Sequence, residues 1–277
     1  MFIDTHAHLN FEAFEKDYRD VINRAFEADV RGIINVGSNL ETSKKANEIA
    51  EKYPTGIYAA IGLHPIHVKE KFDETKYLKL AKHKKVVALG ETGLDYYYDK
   101  SSAELQKEIF RKFLKMSHAV SKPVILHSRD AGEDVLSILM EERPEPRGVM
   151  HCFQGGWPYA KVILDMGLYI SFTGLITFSK NYGTFEVIQN MPLDRLLIET
   201  DCPFMSPAFV DSAYVATSAK GATTAGKPEP MRGQRNEPAY VIEVAKKIAE
   251  IKKISLEKVA DQTSKNAIKL FKLEING

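Results

Sequence analysis

The sequence predicts one α/β domain folded as a (β/α)8 TIM barrel, and three observations lead to this prediction. Short apolar runs alternate with longer segments of helical periodicity along the 277 residues, as in chains of βα units. Several of these runs are apolar throughout, as parallel strands buried on both faces should be. Histidines and acidic residues directly follow many of the runs, and such barrels keep their chemistry at the mouth where the carboxyl ends of the strands converge.

Eight apolar runs are predicted as the strands of the barrel, with helix candidates between them. In chain order the runs cover residues 2–5, 32–36, 57–61, 86–90, 124–126, 148–150, 168–172 and 196–199. The clearest helix starts near Ser101, where Ser-Ser-Ala-Glu matches a capping box. Its apolar stripe consists of Leu105, Ile109, Phe113 and Met116. Further helices are predicted at 133–142, which Pro144 ends, and at about 239–251 and 256–271 after the eighth strand.

Composition and charge narrow the class of protein. The net charge of +1 and the pI of about 7.7 argue against broad, sequence-independent binding of nucleic acid. They are compatible with a local phosphate-binding site at the mouth of the barrel. The two cysteines, Cys152 and Cys202, exclude a disulfide framework and suit a reducing compartment. Since we find neither a signal-peptide pattern nor an apolar run near the roughly 20 residues of a membrane helix, we expect a cytoplasmic protein without a membrane or obligate protein partner.

Residues 207–236 break the rhythm of the chain and are predicted to form a loop insert. The segment is rich in Ala, Gly, Ser, Thr and Pro and has no apolar period; loops of this length tend to be functional or mobile. Its charged residues are Lys220, Lys227, Arg232 and Arg235 against Asp211 and Glu229. Because the insert follows the eighth strand, we expect a basic, mobile lid over the mouth of one domain spanning 1–277; the alternative is a solvated loop without a role.

The strand ends carry residues that can hold metal ions. His6 and His8 are two residues apart, so both imidazoles can point the same way from an extended segment and reach one ion. Glu91 emerges from a buried strand, where a carboxylate must find a partner or lose its charge. Its two oxygens could bridge two ions. The alternatives are a chance His-x-His pair and a solvated loop acid.

Three more strand ends complete the predicted site. His127 and His151 follow the fifth and sixth strands, and Asp201 follows the eighth. Either histidine alone is more often a satisfied core residue, but convergence of all these strand ends at one mouth favours a site of mixed nitrogen and oxygen ligands. Asp201 could also accept a proton from an attacking water, which makes Asp201 and Glu91 the candidate catalytic residues.

Two residues beside these ligands are predicted to contact the substrate. Arg129 lies two residues beyond His127, and its planar guanidinium suits a phosphate; an ion pair with Asp130 or Glu133 is the alternative. His64, after the third strand, is the second predicted substrate contact. Asp95 is a candidate for orienting a ligand from behind.

Together these motifs resemble the TatD family of metal-dependent hydrolases, among the amidohydrolase-like barrels. The matching pieces are DTHAH at 4–8, GLHP at 62–65, GETGLD at 90–95, HSR at 127–129, HCF at 151–153, ETDCP at 199–203 and RGQRNEP at 232–238. The resemblance implies two divalent ions. One would be held by His6, His8, Glu91 and Asp201, and the other by Glu91, His127 and His151. Members of the family hydrolyse phosphodiesters of DNA, often as exonucleases, and some similar proteins act on aminoacyl-tRNA esters; the long insert at 207–236 departs from the family pattern.

The resulting hypothesis is a divalent-metal-dependent hydrolase of phosphodiester bonds, an exonuclease-type deoxyribonuclease that uses a metal-activated water. One alternative is amide or ester hydrolysis, for instance of an aminoacyl-tRNA, because the same metals can polarise a carbonyl. Another is a catalytically silent barrel that binds nucleic acid, against which the complete ligand set argues. Zinc, magnesium and manganese all suit such ligands, and DNA, RNA, a small phosphoester and an acyl ester stay open as substrates.

Overall fold

Eight parallel strands form the sheet at the centre of the molecule. The computed structural model describes residues 1–97, 100–143, 147–178, 182–210, 229–230 and 233–275. The strands are β1 Phe2–Ala7, β2 Val30–Val36, β3 Ile57–Ile61, β4 Val86–Asp95, β5 Val124–Arg129, β6 Val149–Met150, β7 Tyr169–Phe172 and β8 Leu196–Ile198. Each pairs in parallel with the next in chain order. The predicted barrel is confirmed, since every predicted run overlaps a strand.

Helices follow the strands and pack on the sheet. Within the described ranges they are α1 Tyr18–Glu27, α2 Leu40–Glu51, α3 Glu74–Ala81, α4 Ala103–Val120, α5 Gly132–Glu142, α6 Trp157–Asp165, α7 Tyr182–Asn190, α8 Val241–Lys252 and α9 Leu256–Phe271. In the described part of the chain, no helix is both long and apolar enough to cross a membrane.

The start of α4 differs from the prediction. A short 3-10 turn at Lys100–Ser102 comes first, and the side chain of Ser102 at the N-cap makes no capping hydrogen bond. Leu105 is 38% exposed, so its place in the predicted stripe was wrong. The buried face contains Ile109, Phe113 and Met116 as predicted. The predicted capping box at Ser101 is therefore absent, because the 3-10 turn occupies that position; Pro144 lies outside the described residues.

A buried cluster inside the barrel shows which end is covered. Side chains from all eight strands meet there and pack against Leu270 and Phe271 of α9. Asn266 of α9 also donates to the carbonyl of Leu196, at the start of β8 (2.8 Å), and Ser264 donates to the carbonyl of Met1 (3.2 Å). The helix thus covers the amino ends of the strands, which leaves the carboxyl ends open for the site.

The barrel closes between β1 and the segment just after β8. Ala7 forms a parallel bridge with Cys202. The amide of Asp201 donates to the carbonyl of His6, and the amide of His8 donates to the carbonyl of Cys202, both at 2.8 Å. This seam brings three predicted ligands side by side, although Asp201 is far from His6 and His8 in sequence.

Asp4 reinforces the seam from within. Its fully buried carboxylate accepts hydrogen bonds from the amide (2.9 Å) and hydroxyl (2.5 Å) of Thr200 and from the amide of His6 (3.2 Å). Burial raises the pKa of Asp4 to about 8. The carboxyl group ties β1 to the residue before Asp201, so it fixes two predicted ligands relative to each other.

Most of the predicted insert at 207–236 lies outside the described residues, including Asp211, Lys220, Lys227 and Arg232. At its base, Phe209–Val210 (β9) pairs antiparallel with Glu229–Pro230 (β10), so the prediction of no regular structure was wrong there. Arg235 forms an ion pair with Asp17 (2.6 Å), and therefore it is an anchor to α1 and not part of a basic lid. The lid and the one-domain organisation stay predictions.

Candidate metal centre

Glu91 lies at the centre of the mouth and faces two groups of side chains. Its carboxylate projects from β4 and is buried. Oε1 is 2.7 Å from His127 Nδ1 and 2.7 Å from His151 Nε2. Oε2 is 3.4 Å from His6 Nε2 and 3.9 Å from His8 Nε2. The two oxygens of one carboxylate therefore point to different pairs of histidines.

The first group consists of His6, His8 and Asp201 at the seam. The two Nε2 atoms are 3.2 Å apart, and Asp201 Oδ1 is 3.7 Å from His6 Nε2 and 3.3 Å from His8 Nε2. All three side chains are buried, and their ligand atoms lie within 4.8 Å of one another. The spacing leaves room for one cation between two nitrogens and an oxygen.

The second group gathers around Glu91 Oε1. His127 Nδ1 lies 3.2 Å from His151 Nε2, and His64 Nε2 lies 3.4 Å from the same carboxylate oxygen. The ligand atoms of His64, Glu91 and His127 lie within 4.8 Å of one another. His64 is thus closer to the ligand cluster than a residue of the outer rim would be.

The hydrogen bond of the outer ring nitrogen distinguishes His64 from His8 and His127. His8 Nδ1 is 2.8 Å from the carbonyl oxygen of Val36, and His127 Nε2 is 3.3 Å from Asp95 Oδ2. These acceptors take the N–H and leave the inner nitrogen with a lone pair for a metal. His64 is the reverse, because its Nδ1 accepts from the amide of Ile66 (3.2 Å). In its neutral form the inner Nε2 of His64 therefore carries the proton and is a donor.

Glu199 is a site residue that sequence reasoning missed. It is fully buried, and its Oε1 lies 3.4 Å from His151 Nδ1 and accepts from the amide of Cys152 (2.6 Å). Its Oε2 accepts from the hydroxyl of Ser171 (2.7 Å). The available signal was position: Glu199 is two residues before Asp201, as Asp4 is two residues before His6, and residues two apart in extended chain share a side.

Charges in the cluster shift its titrating groups strongly. Burial alone would raise the pKa of Glu91, but the neighbouring His151 and His64 outweigh burial and hold this pKa well below its usual range. Burial lowers the pKa of His6. For His151, burial is outweighed by the charge of Glu91 and the nearby carboxylate of Glu199, so the pKa of His151 rises well above its ordinary value. The Glu91 carboxylate is therefore ionised and attracts positive charge into the buried cluster.

The donor set fits a divalent cation. The outer nitrogen of His127 faces Asp95, so its inner nitrogen directs a lone pair at Glu91 Oε1, 2.7 Å away. His151 Nε2 lies at the same distance from that oxygen. Such contacts repel unless a proton or a cation lies between the atoms. Imidazole nitrogens and carboxylate oxygens are the ligands that zinc and manganese accept in proteins.

The remaining predicted residues line or flank the mouth. Arg129 is exposed, and its guanidinium lies 3.7 Å above the ring of Tyr97. Cys152 and Cys202 are free and belong to none of the metal groups found in the described residues. Cys202 packs in the main core cluster, and burial raises the pKa of Cys152 to about 12. The packing role predicted for Cys202 agrees with its place in the core, whereas Cys152 Sγ lies 3.6 Å from the hydroxyl of Thr173.

Comparison with known proteins agrees with this geometry. The model of the family described as "TatD related DNase" matches residues 3–272. The metal-dependent hydrolase YabD of Bacillus subtilis (strain 168) is 43% identical over 276 residues, which cover 99% of this chain and 100% of YabD. A protein of Erwinia tasmaniensis named 3'-5' ssDNA/RNA exonuclease TatD is 33% identical over 274 residues, covering 98% of this chain and 99% of the relative.

Comparison with solved structures also finds members of the TatD family. The crystal structure of YjjV, a TatD homologue from Escherichia coli K12, has a TM-score of 0.86 and 30% sequence identity, and the match covers 99% of this chain and 98% of that one. A TatD-family hydrolase from Entamoeba histolytica has a TM-score of 0.79 and 28% identity, covering 98% and 97%. The resemblance carried by seven short motifs is confirmed. The chain belongs to the TatD-related DNase family and is a metal-dependent hydrolase.

Proposed function

We propose that this chain hydrolyses phosphodiester bonds of nucleic acid, as an exonuclease-type deoxyribonuclease that uses two divalent cations. The observation that supports this most is the position of Glu91, whose two oxygens face separate pairs of histidines. Two cations that share a carboxylate form the arrangement that suits in-line displacement at phosphorus. The name of the Erwinia relative, an ssDNA/RNA exonuclease, supports the substrate class.

The proposed ligands divide along the two groups. Glu91 Oε2 would hold one cation together with the seam residues His6, His8 and Asp201. Glu91 Oε1 would hold the other together with His127 and His151. Zinc and manganese fit this nitrogen-rich set better than magnesium, which prefers oxygen ligands and its own waters. Bound there, divalent cations act as Lewis acids and lower the pKa of a coordinated water.

Asp201 is the proposed proton acceptor. Burial raises its pKa, but the hydrogen bond to His8 and the proximity of His6 outweigh burial, so the pKa of Asp201 is below its ordinary value. The carboxylate is therefore ionised at neutral pH, and its side chain retains about 10% exposure at the mouth. It can hold the proton of a water that attacks phosphorus and release it to solvent afterwards.

His64 and Arg129 are the proposed contacts to the phosphate. The amide of Ile66 occupies His64 Nδ1, so the inner Nε2 carries the N–H and faces Glu91 Oε1 at 3.4 Å, where it would donate to an oxygen of a phosphate bound beside Glu91. Arg129 is exposed beyond His127 on β5, and its guanidinium can approach the same phosphate from the rim. Donors aimed at charge that develops in the transition state act on turnover more than on binding of the ground state.

The test compares Glu91→Gln, Asp201→Asn and His64→Gln with the wild type. After reconstitution with zinc or manganese, we measure metal content and hydrolysis of bis(p-nitrophenyl) phosphate, single-stranded DNA and an aminoacyl ester. Glu91→Gln should lose bound metal and activity. Asp201→Asn should lower turnover by about 100-fold or more, the usual contribution of a general base. His64→Gln should lower turnover and keep its metal.

Three results would contradict the proposal. Full metal content and activity in Glu91→Gln would exclude a shared carboxylate. Loss of metal from His64→Gln would make His64 a ligand and not a phosphate contact. Hydrolysis of the aminoacyl ester with much higher kcat/KM than either phosphodiester would replace the proposed substrate class with acyl esters.

A further inference from the structure

An aromatic surface borders the metal centre on its seam side. The ring of Phe11 stacks on His8, with centroids 4.4 Å apart and planes at 15°. The ring of Phe204 lies edge-on to both, 6.3 Å from the centroid of His8 and 6.3 Å from that of Phe11. Phe204 is 51% exposed. Two phenyl rings therefore lie beside the candidate ligand His8, and the outer ring, that of Phe204, faces solvent.

The backbone that carries Phe204 is held firmly. Its amide donates to the carbonyl of Asp201 (3.0 Å). The buried side chain of Asn236 donates to the carbonyls of Phe204 (2.7 Å) and Thr200 (2.9 Å), and the Asn236 amide donates to Pro203 (3.1 Å). The exposed ring is therefore presented at a defined distance from the metal ligands and does not belong to a loose loop.

We propose that Phe204, backed by Phe11, is a stacking platform for the nucleobase next to the scissile phosphate. The proposal rests on the proposed function, because it assumes a nucleic acid strand whose phosphate lies at Glu91. Flat apolar rings stack on any base, which supplies affinity without sequence preference. A phosphate bound beside His8 has its neighbouring base within reach of a ring centred 6.3 Å from that imidazole.

A stacking platform of this kind favours single-stranded nucleic acid. In a duplex the terminal base is paired and stacked, and it must be unstacked before it can lie on a protein ring. A strand without a partner meets no such cost. The competing role for Phe204 is to shield His8 and Phe11 from water, which any apolar side chain of similar size would do.

The experiment uses Phe204→Leu and Phe204→Trp in the metal-loaded, full-length protein. Substrates are single-stranded oligonucleotides with ordinary ends and matched oligonucleotides with abasic residues at both ends. Met140→Ala is the control, since Met140 is similarly exposed (52%) but lies near the end of α5, away from the mouth.

With ordinary ends, Phe204→Leu should lose about tenfold in kcat/KM, which is about 1.4 kcal/mol. The tryptophan variant should retain activity. With abasic ends, wild type and Phe204→Leu should be equal, and Met140→Ala should match the wild type throughout. Metal content should not change in any variant.

Equal losses on ordinary and abasic ends would assign Phe204 to shielding and overturn the platform. Full activity of Phe204→Leu on both kinds of substrate would also overturn the platform. If Phe204→Leu converts a dimer into a monomer in light scattering, the ring covers a second copy of this chain and the proposal is wrong. If the wild type cleaves no phosphodiester, the proposed function fails; the platform is then judged by binding of labelled oligo-dT, for which Phe204→Leu must raise Kd about tenfold.

Discussion

Gly93 in β4 passes His127 in β5 so closely that no side chain fits between them. The two residues are register partners in the sheet. A Cβ atom added at Gly93 would lie 2.0 Å from the carbonyl oxygen of His127 and 3.0 Å from its amide nitrogen. The φ angle of Gly93 is +147°, which L-residues rarely adopt. We therefore predict that Gly93→Ala damages both the fold and the metal centre.

The magnitude follows from the overlap. Real Cβ atoms essentially never approach another heavy atom closer than 3.0 Å, so the His127 carbonyl must recede by about 1 Å, several times the roughly 0.2 Å tolerance of a metal site. A strained backbone conformation costs on the order of 1–3 kcal/mol, and overpacking typically adds about 1–3 kcal/mol. We expect a loss of about 4 kcal/mol in the free energy of unfolding.

Gly183 in α7 provides the matched control, because a Cβ there would meet nothing within 4 Å. Gly183→Ala should be neutral or stabilise by about 0.4–1 kcal/mol, since alanine restricts the unfolded chain. Urea unfolding of the metal-free proteins measures the stability, and calorimetric titration with zinc or manganese measures the site. A Gly93→Ala protein with the unfolding midpoint and metal stoichiometry of the wild type would refute the reasoning.

Two further predictions concern groups outside the proposed ligand set. Glu199→Gln removes the charge beside His151 and should weaken metal affinity about 10- to 100-fold without unfolding the protein; unchanged affinity in a metal titration would contradict this. Arg235 holds the pKa of Asp17 below its ordinary value, so the pair stabilises the fold above about pH 4 and the contribution disappears as pH falls through the lowered pKa. Arg235→Met should therefore cost about 1–2 kcal/mol at pH 7, and urea unfolding should show the gap to wild type narrowing below about pH 4; a constant gap would contradict the assignment.

The barrel and most of its site could be predicted from sequence because the signals are local. Strands such as β3 and β8 are buried on both faces, so their apolar composition alone indicates them. The predicted ligands stand at strand ends, and their side chains have ligand chemistry in isolation. A reader of the sequence needs only the convergence of strand ends at one mouth to bring Glu91 and His127 together.

Contacts between distant strands explain what was missed. Glu199 is satisfied by Ser171 of the neighbouring β7, and Asp4 by Thr200, which is 196 residues away. Their positions two residues before predicted ligands mark both acids, but their role as positioning groups depends on these partners. The role of His64 also depends on such detail, since the hydrogen bond from Ile66 decides which of its nitrogens carries the proton.

The seam links the metal centre to closure of the barrel. His6 and His8 come from β1, and Asp201 comes from the segment after β8, so their meeting requires the two ends of the sheet to be joined. In the described residues that junction consists of a single bridge and a few hydrogen bonds beside Asp4. An ion held by these three ligands would bind the closed barrel and not the open chain, and such binding energy adds directly to folding energy. The same few residues of the seam therefore close the barrel and assemble the proposed site.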